Sequence, residues 1–439
     1  MTGNLKKTQK DILVKLNIDE LSKMQKEATS VIDSTNNTIV LSPTGTGKTI
    51  SFLLPVLKMI DVNKKEVQVL ILVPSRELAI QIEQVVREMG AGVKVNAVYG
   101  GRAMAKDKED LKHMPSILIG TPGRISDHFM NNRFSKSYIK ALVLDEFDKS
   151  LEVGFESEMK DIIREIPTSI KKVLTSATQK IEIPEFVGLK DPIILNYLTG
   201  KINERLVLKQ VLWSFNNKEK KLVELLQHIG NECQGIIFVN LRDSIEKVSN
   251  FLTKKSISHS CFSGGMEQRD RERSLIKFRN GTSRILLATD LAARGIDIPE
   301  IKYIIHYELP FRIEEFTHRN VRTARVNKEG TAYVFKSEVK ELPEFIKGIS
   351  NADISQKRIT LESDWETIFI SGGRKDKISK GDIAGLLFKK GNLKRDEVGI
   401  IELKQDCAFV AVPVKEAKIL VSKLNNIKLK NRKIRVYII

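Results

Sequence analysis

Residues 42–49 read SPTGTGKT, preceded by TIVL (38–41) and followed by ISFLLPVLKMI (50–60). The first flank is a short β-rich apolar run and the second reads as a helix, so a loop of small residues joins a strand to a helix. Such a loop lets backbone N–H groups close around phosphate oxygens at the helix N-terminus. Thr44, Gly45, Thr46 and Gly47 form the cradle, Lys48 reaches the β/γ-phosphates, and Thr49 ligates Mg²⁺. Ser42 stands where the strict pattern has glycine.

The same alternation continues outward. VLILV (69–73), SILIG (116–120), ALVLD (141–145) and KVLTS (172–176) are further apolar runs separated by amphipathic stretches. After the polar passage YLTGKINER (197–205), the pattern resumes with GIIFVN (235–240), RILLAT (284–289), YIIHY (303–307) and TAYVF (331–335). Continuous apolar strands alternating with helices predict parallel sheets covered on both faces. Two such series predict two α/β domains, over residues 1–198 and 206–350, with the cleft between them as the natural ligand site.

A phosphate loop of this kind needs acids at the end of a neighbouring strand. The run ending at Asp145 supplies them as DEFD (145–148). Asp145 is expected to hold Mg²⁺ and Glu146 to orient or activate the attacking water. Phe147, lying between acids, is expected to turn away into packing.

The 439-residue chain carries a net charge of +18, which points to an acidic partner, most commonly nucleic acid. Cys233, Cys261 and Cys407 are far apart with no CxxC pair, against a zinc site or disulfide framework and for a reducing compartment. The N-terminal MTGNLKKTQKDI lacks the apolar core of a signal peptide, and no apolar run is long enough for a bilayer. The expectation is a cytoplasmic protein.

Taken in order, the motifs resemble those of the DEAD-box ATP-dependent RNA helicases of superfamily 2. PSRELAIQ (74–81), Gly100-Gly101 and TPGR (121–124) resemble motif Ia, the GG element and motif Ib; DEFD stands where DEAD is usual. SAT (176–178) resembles motif III, and IIFVN with Arg242 resembles motif IV. Gln268 and Arg271 fit the QxxR element, TDLAARGID (289–297) motif V, and HRNVRTAR (318–325) motif VI. The resemblance covers roughly residues 20–345. It implies two RecA-like domains that bind and hydrolyse ATP-Mg²⁺ through Lys48, Thr49, Asp145 and Glu146. Asp297 would touch the nucleotide ribose, and Arg322 and Arg325 would be arginine fingers supplied by the second domain. RNA would be gripped by its backbone through Arg76, Gly101, Thr121, Gly123, Arg124, Arg242 and Thr289, contacts that carry no sequence information. Hydrolysis would then require closure of the cleft.

Three motifs depart from the family pattern. The stretch LSKMQ (21–25) matches the Q motif only loosely, and no aromatic precedes Phe52, so Gln25 would read adenine without a stacked ring. Val321 and Ala324 replace glycines in motif VI, and Phe147 replaces alanine.

Beyond residue 350 the composition shifts. Residues 371–439 hold 17 Lys+Arg against 7 Asp+Glu, a net +10 and more than half of the chain's surplus. TIFIS, a helix through GDIAGLLFKK, VGIIEL, CAFVAV, a helix through KEAKILVSKL and KIRVYII give β-α-β-β-α-β. This is the split βαβ order of a small α+β RRM-like domain, placed at residues 366–439. It resembles the RNA-binding domain of DbpA-type helicases, which act on large-subunit ribosomal RNA. QDCAFVAV (405–412) matches the general RNP1 pattern only at Ala408, Phe409 and Val410. Alternation puts Phe409 with Cys407 and Ala411 on an exposed face, and Phe369 joins it as a thin stacking platform. Recognition through basic loops at Lys389, Lys390, Lys394 and Arg395 is favoured over that platform; a basic face adding only nonspecific affinity stays open.

The expected activity is unwinding or remodelling of short RNA duplexes, in ribosomal RNA or pre-ribosomal particles, by a monomer. An ATP-gated RNA clamp or chaperone with little strand separation is the alternative. A DNA translocase fits the DEFD, SAT and HRxxR set poorly.

Overall fold

The computed structural model describes residues 7–43, 45–178, 182–198, 206–214, 216–231, 233–290, 301–323, 329–354 and 362–439. Two compact bodies result, one within Met1–Lys201 and the other within Ile202–Ile439.

The first body is built on β1 (Asn37–Leu41), β2 (Val69–Leu72), β3 (Val95–Val98), β4 (Ile117–Gly120), β5 (Ala141–Leu144), β6 (Lys171–Ser176) and β7 (Ile193–Asn196). Their order in the sheet is β3-β4-β2-β5-β6-β1-β7, and all pairings are parallel. Alternate residues serve opposite faces: Val69 and Ile71 join one core layer, Leu70 and Leu72 the other. Burial on both faces is why these runs read as continuously apolar. The strands run the same way, so the loops after them gather at one edge of the sheet. That edge receives the phosphate loop from β1, Arg76 after β2, Gly100-Gly101 after β3, TPGR after β4, DEFD after β5 and Ser176–Thr178 from β6.

The second body repeats the plan with β8 (Leu206–Trp213), β9 (Gln234–Val239), β10 (Ser260–Phe262), β11 (Ile285–Thr289), β12 (Ile301–His306), β13 (Gly330–Ser337) and β14 (Ser350–Asn351). These lie in the parallel order β10-β11-β9-β12-β13-β8-β14.

The same body carries the C-terminal domain, made of β15 (Trp365–Ser371), β16 (Ile401–Leu403), β17 (Cys407–Pro413), a small hairpin of β18 (Lys428–Leu429) and β19 (Arg432–Lys433), and β20 (Val436–Ile438). Helices Lys380–Lys389 and Val414–Leu424 complete the anticipated β-α-β-β-α-β order. The antiparallel sheet runs β16-β17-β15-β20. Ile368, Ile370, Ala408 and Val410 form its core with Ile383, Leu387 and Leu420 of the two helices.

The opposite face of this sheet is not the open platform the alternation suggests. Phe409 is 6% exposed and Ala411 2%. Phe369 lies opposite Phe409 and stacks on Tyr437. This face is turned to the helix Gln268–Arg279 and the turn that follows it. Arg279 Nη2 donates to both carboxylate oxygens of Glu402, at 2.9 Å each. Thr367, fully buried, bonds Asn280 Nδ2 at 3.1 Å and the Thr282 hydroxyl at 2.7 Å. Arg273 donates to the Tyr437 hydroxyl at 3.2 Å, and Ser363 donates to the Gly281 carbonyl. Alternation correctly groups the residues on one face but says nothing of what covers that face.

Candidate active site and RNA face

The phosphate loop is braced from within. Gly45 and Gly47 adopt φ of 81° and 84°, a conformation that favours glycine. The Ser42 N–H continues the pairing with β6 by donating to the Ser176 carbonyl at 3.0 Å. Its hydroxyl meets that of Thr46 at 2.7 Å, and Thr46 donates to the Pro43 carbonyl at 2.8 Å. Ser42 thus adds a cross-brace where the strict pattern has glycine. The Lys48 ammonium donates to the carbonyls of Ser42 and Pro43. Burial pulls its pKa below the ordinary lysine range, and the charges of Asp145, Glu146 and Asp148 act the other way. Thr49 lies half-buried one residue along, in the first turn of the helix Lys48–Lys58.

Gln25 belongs to this loop as well. Its side-chain amide donates to the Gly47 carbonyl at 3.3 Å, and its carbonyl accepts from the Ser22 N–H at 2.9 Å. A Cβ on Gly47 would stand 2.1 Å from the Gln25 amide nitrogen, so the close approach requires glycine. In this arrangement the amide nitrogen of Gln25 supports the loop, while its oxygen caps the start of Gln25's own helix at Ser22.

Asp145 and Glu146 sit where β5 ends. Asp145 is 3% exposed and accepts a hydrogen bond from the Thr175 hydroxyl of β6. Burial raises its pKa from the usual carboxylate range; the Thr175 hydroxyl and Lys48 oppose that rise. Glu146 is in the left-handed region at φ 49°, and its N–H donates to the same Thr175 oxygen at 3.2 Å. Thr175 therefore holds the Asp145 carboxylate and the Glu146 backbone together. It lies inside a run that reads only as a strand, and the signal for it is a hydroxyl directly before SAT. Asp148 accepts from the Thr178 hydroxyl at 3.1 Å, which joins DEFD to SAT. Phe147 is 1% exposed and belongs to the core layer containing Leu144, Met159, Ile162 and Leu174. A buried carboxylate with a hydroxyl-bearing Thr49 on the loop is an oxygen donor set that suits Mg²⁺. Among the described residues no cluster of three or more His, Cys, Asp or Glu offers an all-protein metal site.

The candidate RNA residues of the first body share the same sheet edge. Arg76 starts the helix Arg76–Met89, and its guanidinium lies so close to Gly101 that a Cβ there would stand 2.4 Å from it. Gly101 itself has φ 82°. Thr121 and Gly123 open the helix Pro122–Met130, with Thr121 buried and Gly123 half-buried. Arg124 points inward: it donates to the Arg102 carbonyl and lies 3.5 Å from Asp107, which is fully buried.

In the second body, Arg242 opens the helix Arg242–Lys254 with its side chain 64% exposed. Thr289 ends β11. Arg271 places its guanidinium over the Phe262 ring. Arg322 is buried at 8% exposure. Val321 has φ −67°, so a β-branched residue fits there without backbone strain. The main surprise is Arg319, fully buried, which ties three motifs together. It pairs with Asp290, donates to Asn240 Oδ1 at 2.8 Å, and donates to the Glu308 carbonyl at 2.6 Å. Sequence spacing marks HRNVRTAR as a unit but not this hub. Thr44, Asp297, Ala324 and Arg325 lie outside the described residues. Lys389, Lys390, Lys394 and Arg395 are all exposed, at and beyond the end of the helix Lys380–Lys389.

Two helicase bodies and a basic RRM-like domain, with acids beside a phosphate loop, define an ATP-driven RNA-remodelling enzyme. Residues 22–186 match the DEAD/DEAH box helicase family, 217–327 the helicase conserved C-terminal domain, and 367–438 the DbpA RNA binding domain. The ATP-dependent RNA helicase DbpA of Escherichia coli is 30% identical over 411 residues, covering 90% of each chain. The protein of the same name from Bacillus subtilis is 28% identical over 96% of this chain and 95% of its own. S. cerevisiae Dbp5 bound to RNA and ADP BeF3 superposes with a TM-score of 0.64 at 27% identity, covering 74% of this chain and 86% of that one. The chain belongs to the DEAD-box ATP-dependent RNA helicases, and within them to the DbpA type.

Proposed function

We propose that this helicase acts on ribosomal RNA, as a cytoplasmic monomer, unwinding or remodelling short duplexes during large-subunit assembly. The observation that carries the target is the C-terminal domain. It matches the DbpA RNA binding domain, its residues 371–439 hold a net +10, and its exposed Lys389, Lys390, Lys394 and Arg395 lie away from the face turned to the helicase body. Three free, well-separated cysteines support a reducing compartment.

Lys48 and the loop amides bind the nucleotide phosphates, and Gln25 keeps the loop in shape. Thr49 and Asp145 would hold Mg²⁺, which neutralises charge on the phosphates. Glu146 orients the attacking water, with its backbone anchored by Thr175. Arg322 and Arg325 stabilise the transferring phosphoryl group, since a planar guanidinium matches its charge. Asp297 contacts the ribose. The RNA backbone is held by Arg76, Gly101, Thr121, Gly123, Arg242 and Thr289. Arg124, turned inward onto the Arg102 carbonyl and Asp107, supports the Gly100-Gly101 turn against which the RNA backbone would lie.

The test compares ribosomal RNA with length-matched random RNA in ATPase stimulation, at two salt concentrations, alongside strand displacement of a short duplex. Preference for ribosomal RNA at both salts is expected, because charge alone gives binding that ignores sequence and falls steeply with salt. Equal stimulation by both RNAs overturns the target, and hydrolysis without strand release leaves an ATP-gated clamp.

A further inference from the structure

Beside the contact between the C-terminal sheet and the helicase body runs a groove of about 370 Å³. Its walls include Arg279, Asn280, Arg284 and Lys302 on one side and Trp365 and Ile400 on the other. It lies where β9, β11 and β12 begin: Gln234 also lines it, Arg284 immediately precedes β11, and Lys302 is the second residue of β12. These strands are parallel, so the groove is at the opposite end of the sheet from Asn240 and Thr289. It is not part of the helicase motifs.

The groove's polar groups are incompletely used by the protein. Asn280 is 5% exposed; its amide nitrogen bonds Thr367, while its Oδ1 has no partner among the described residues. The Nε atoms of Arg279 and Arg284 are buried without a hydrogen-bond acceptor among the same residues. There, too, Arg284 is held only by Asp364 at 3.7 Å, a carboxylate 87% exposed. Lys302 is exposed, and its ammonium is in no hydrogen bond or ion pair among the described residues. The Trp365 indole lies beside two glycines: a Cβ on Gly281 would stand 3.7 Å from its Cδ1 and one on Gly399 3.1 Å from its Cζ3. Cations, an aromatic ring and an unpartnered acceptor are the complement of a nucleotide. Phosphate pairs with guanidinium and ammonium, a base stacks on the indole, and a base N–H, such as the ring imide of uracil, reaches a carbonyl.

We infer that this groove is a second RNA contact, holding a single-stranded nucleotide with its phosphate at Arg284 and Lys302 and its base against Trp365. It rests on the reading of the C-terminal domain as the part that selects RNA, and it gives a flanking strand of that RNA a seat away from the helicase motifs. The chain has two tryptophans, so Trp213→Phe leaves Trp365 as the sole indole reporter. The full-length Trp213→Phe protein is titrated with a short oligouridylate at two salt concentrations, with inorganic phosphate as a parallel probe. The oligonucleotide is expected to quench Trp365 saturably. Adding Lys302→Glu should weaken that response on the order of tenfold and lower its log–log salt slope by about one or more. ATPase half-saturation by the same oligonucleotide should not move, because Lys302 is remote from the motifs. No quenching, or an identical titration with Lys302→Glu, overturns the inference; an equal response to phosphate alone reduces the groove to an anion site and overturns the nucleotide. Loss of ribosomal preference in the ATPase assay would count against the proposed target instead, and leaves the Trp365 signal intact.

Discussion

Phe147→Ala separates packing from chemistry beside the two candidate catalytic acids. The ring is 1% exposed, within the layer formed by Leu144, Met159, Ile162, Leu174 and Val187. The helix that it opens, Phe147–Glu152, packs against β6. Truncating a buried phenylalanine to alanine costs roughly 3–5 kcal/mol, through lost transfer energy and the cavity left behind. For a body of about 200 residues, each kcal/mol is worth roughly 2–4 °C, so melting should fall by about 6–20 °C. Glu146, the preceding residue, is held independently by its N–H bond to Thr175, so the water-orienting acid keeps its anchor. Turnover should therefore stay within roughly tenfold of the parent, equivalent to about 1.4 kcal/mol in the barrier. Melting and RNA-stimulated ATPase are measured on one sample, the latter well below the transition. A far larger loss of turnover with unchanged melting would refute the packing account and make the ring part of the catalytic geometry.

Glu146→Gln should keep ATP and RNA binding while losing most RNA-stimulated turnover; unchanged turnover removes Glu146 from its role. Thr175→Val keeps the shape but deprives Asp145 and the Glu146 N–H of their shared partner. A loss of roughly 1–3 kcal/mol in stability and a fall in ATP turnover are expected; if both stay at the parent level, Thr175 is only a strand residue. His306 is fully buried, and burial with the neighbouring Arg319 holds its pKa down at about 3. The unfolded chain takes up that proton near pH 6.5, so stability is complete above that pH and declines as pH falls toward about 3. His306→Gln should flatten the dependence of melting on pH across that window, and an unaltered slope would exclude His306 as its source.

The motifs are legible because their chemistry is local. SPTGTGKT and DEFD carry their function in consecutive residues, and the apolar runs around them survive as β1 and β5. β3 and β10 are harder: VNAV and SCF are short and contain Asn96 and Ser260, which break an apolar run. β8 includes Lys209 and Gln210 and is only partly buried, so it lacks the continuous signature of the central strands. Thr175, Arg319 and Thr367 escape for a different reason. Their partners lie 30, 29 and 87 residues away, at Asp145, Asp290 and Asn280. Periodicity reports which face a side chain is on, and these roles depend on which distant segment meets that face.

The seat of the C-terminal domain bears on how interchangeable such domains are. Its own fold depends on an apolar core closed by its two helices, whereas its attachment uses Glu402, Thr367 and Tyr437 against residues 273–282 of the neighbouring helicase fold. A chimaera that moved only the tail onto another helicase would keep the core and lose the seat. For the tail to arrive in the same orientation, Arg273, Arg279, Asn280, Gly281 and Thr282 must travel with it.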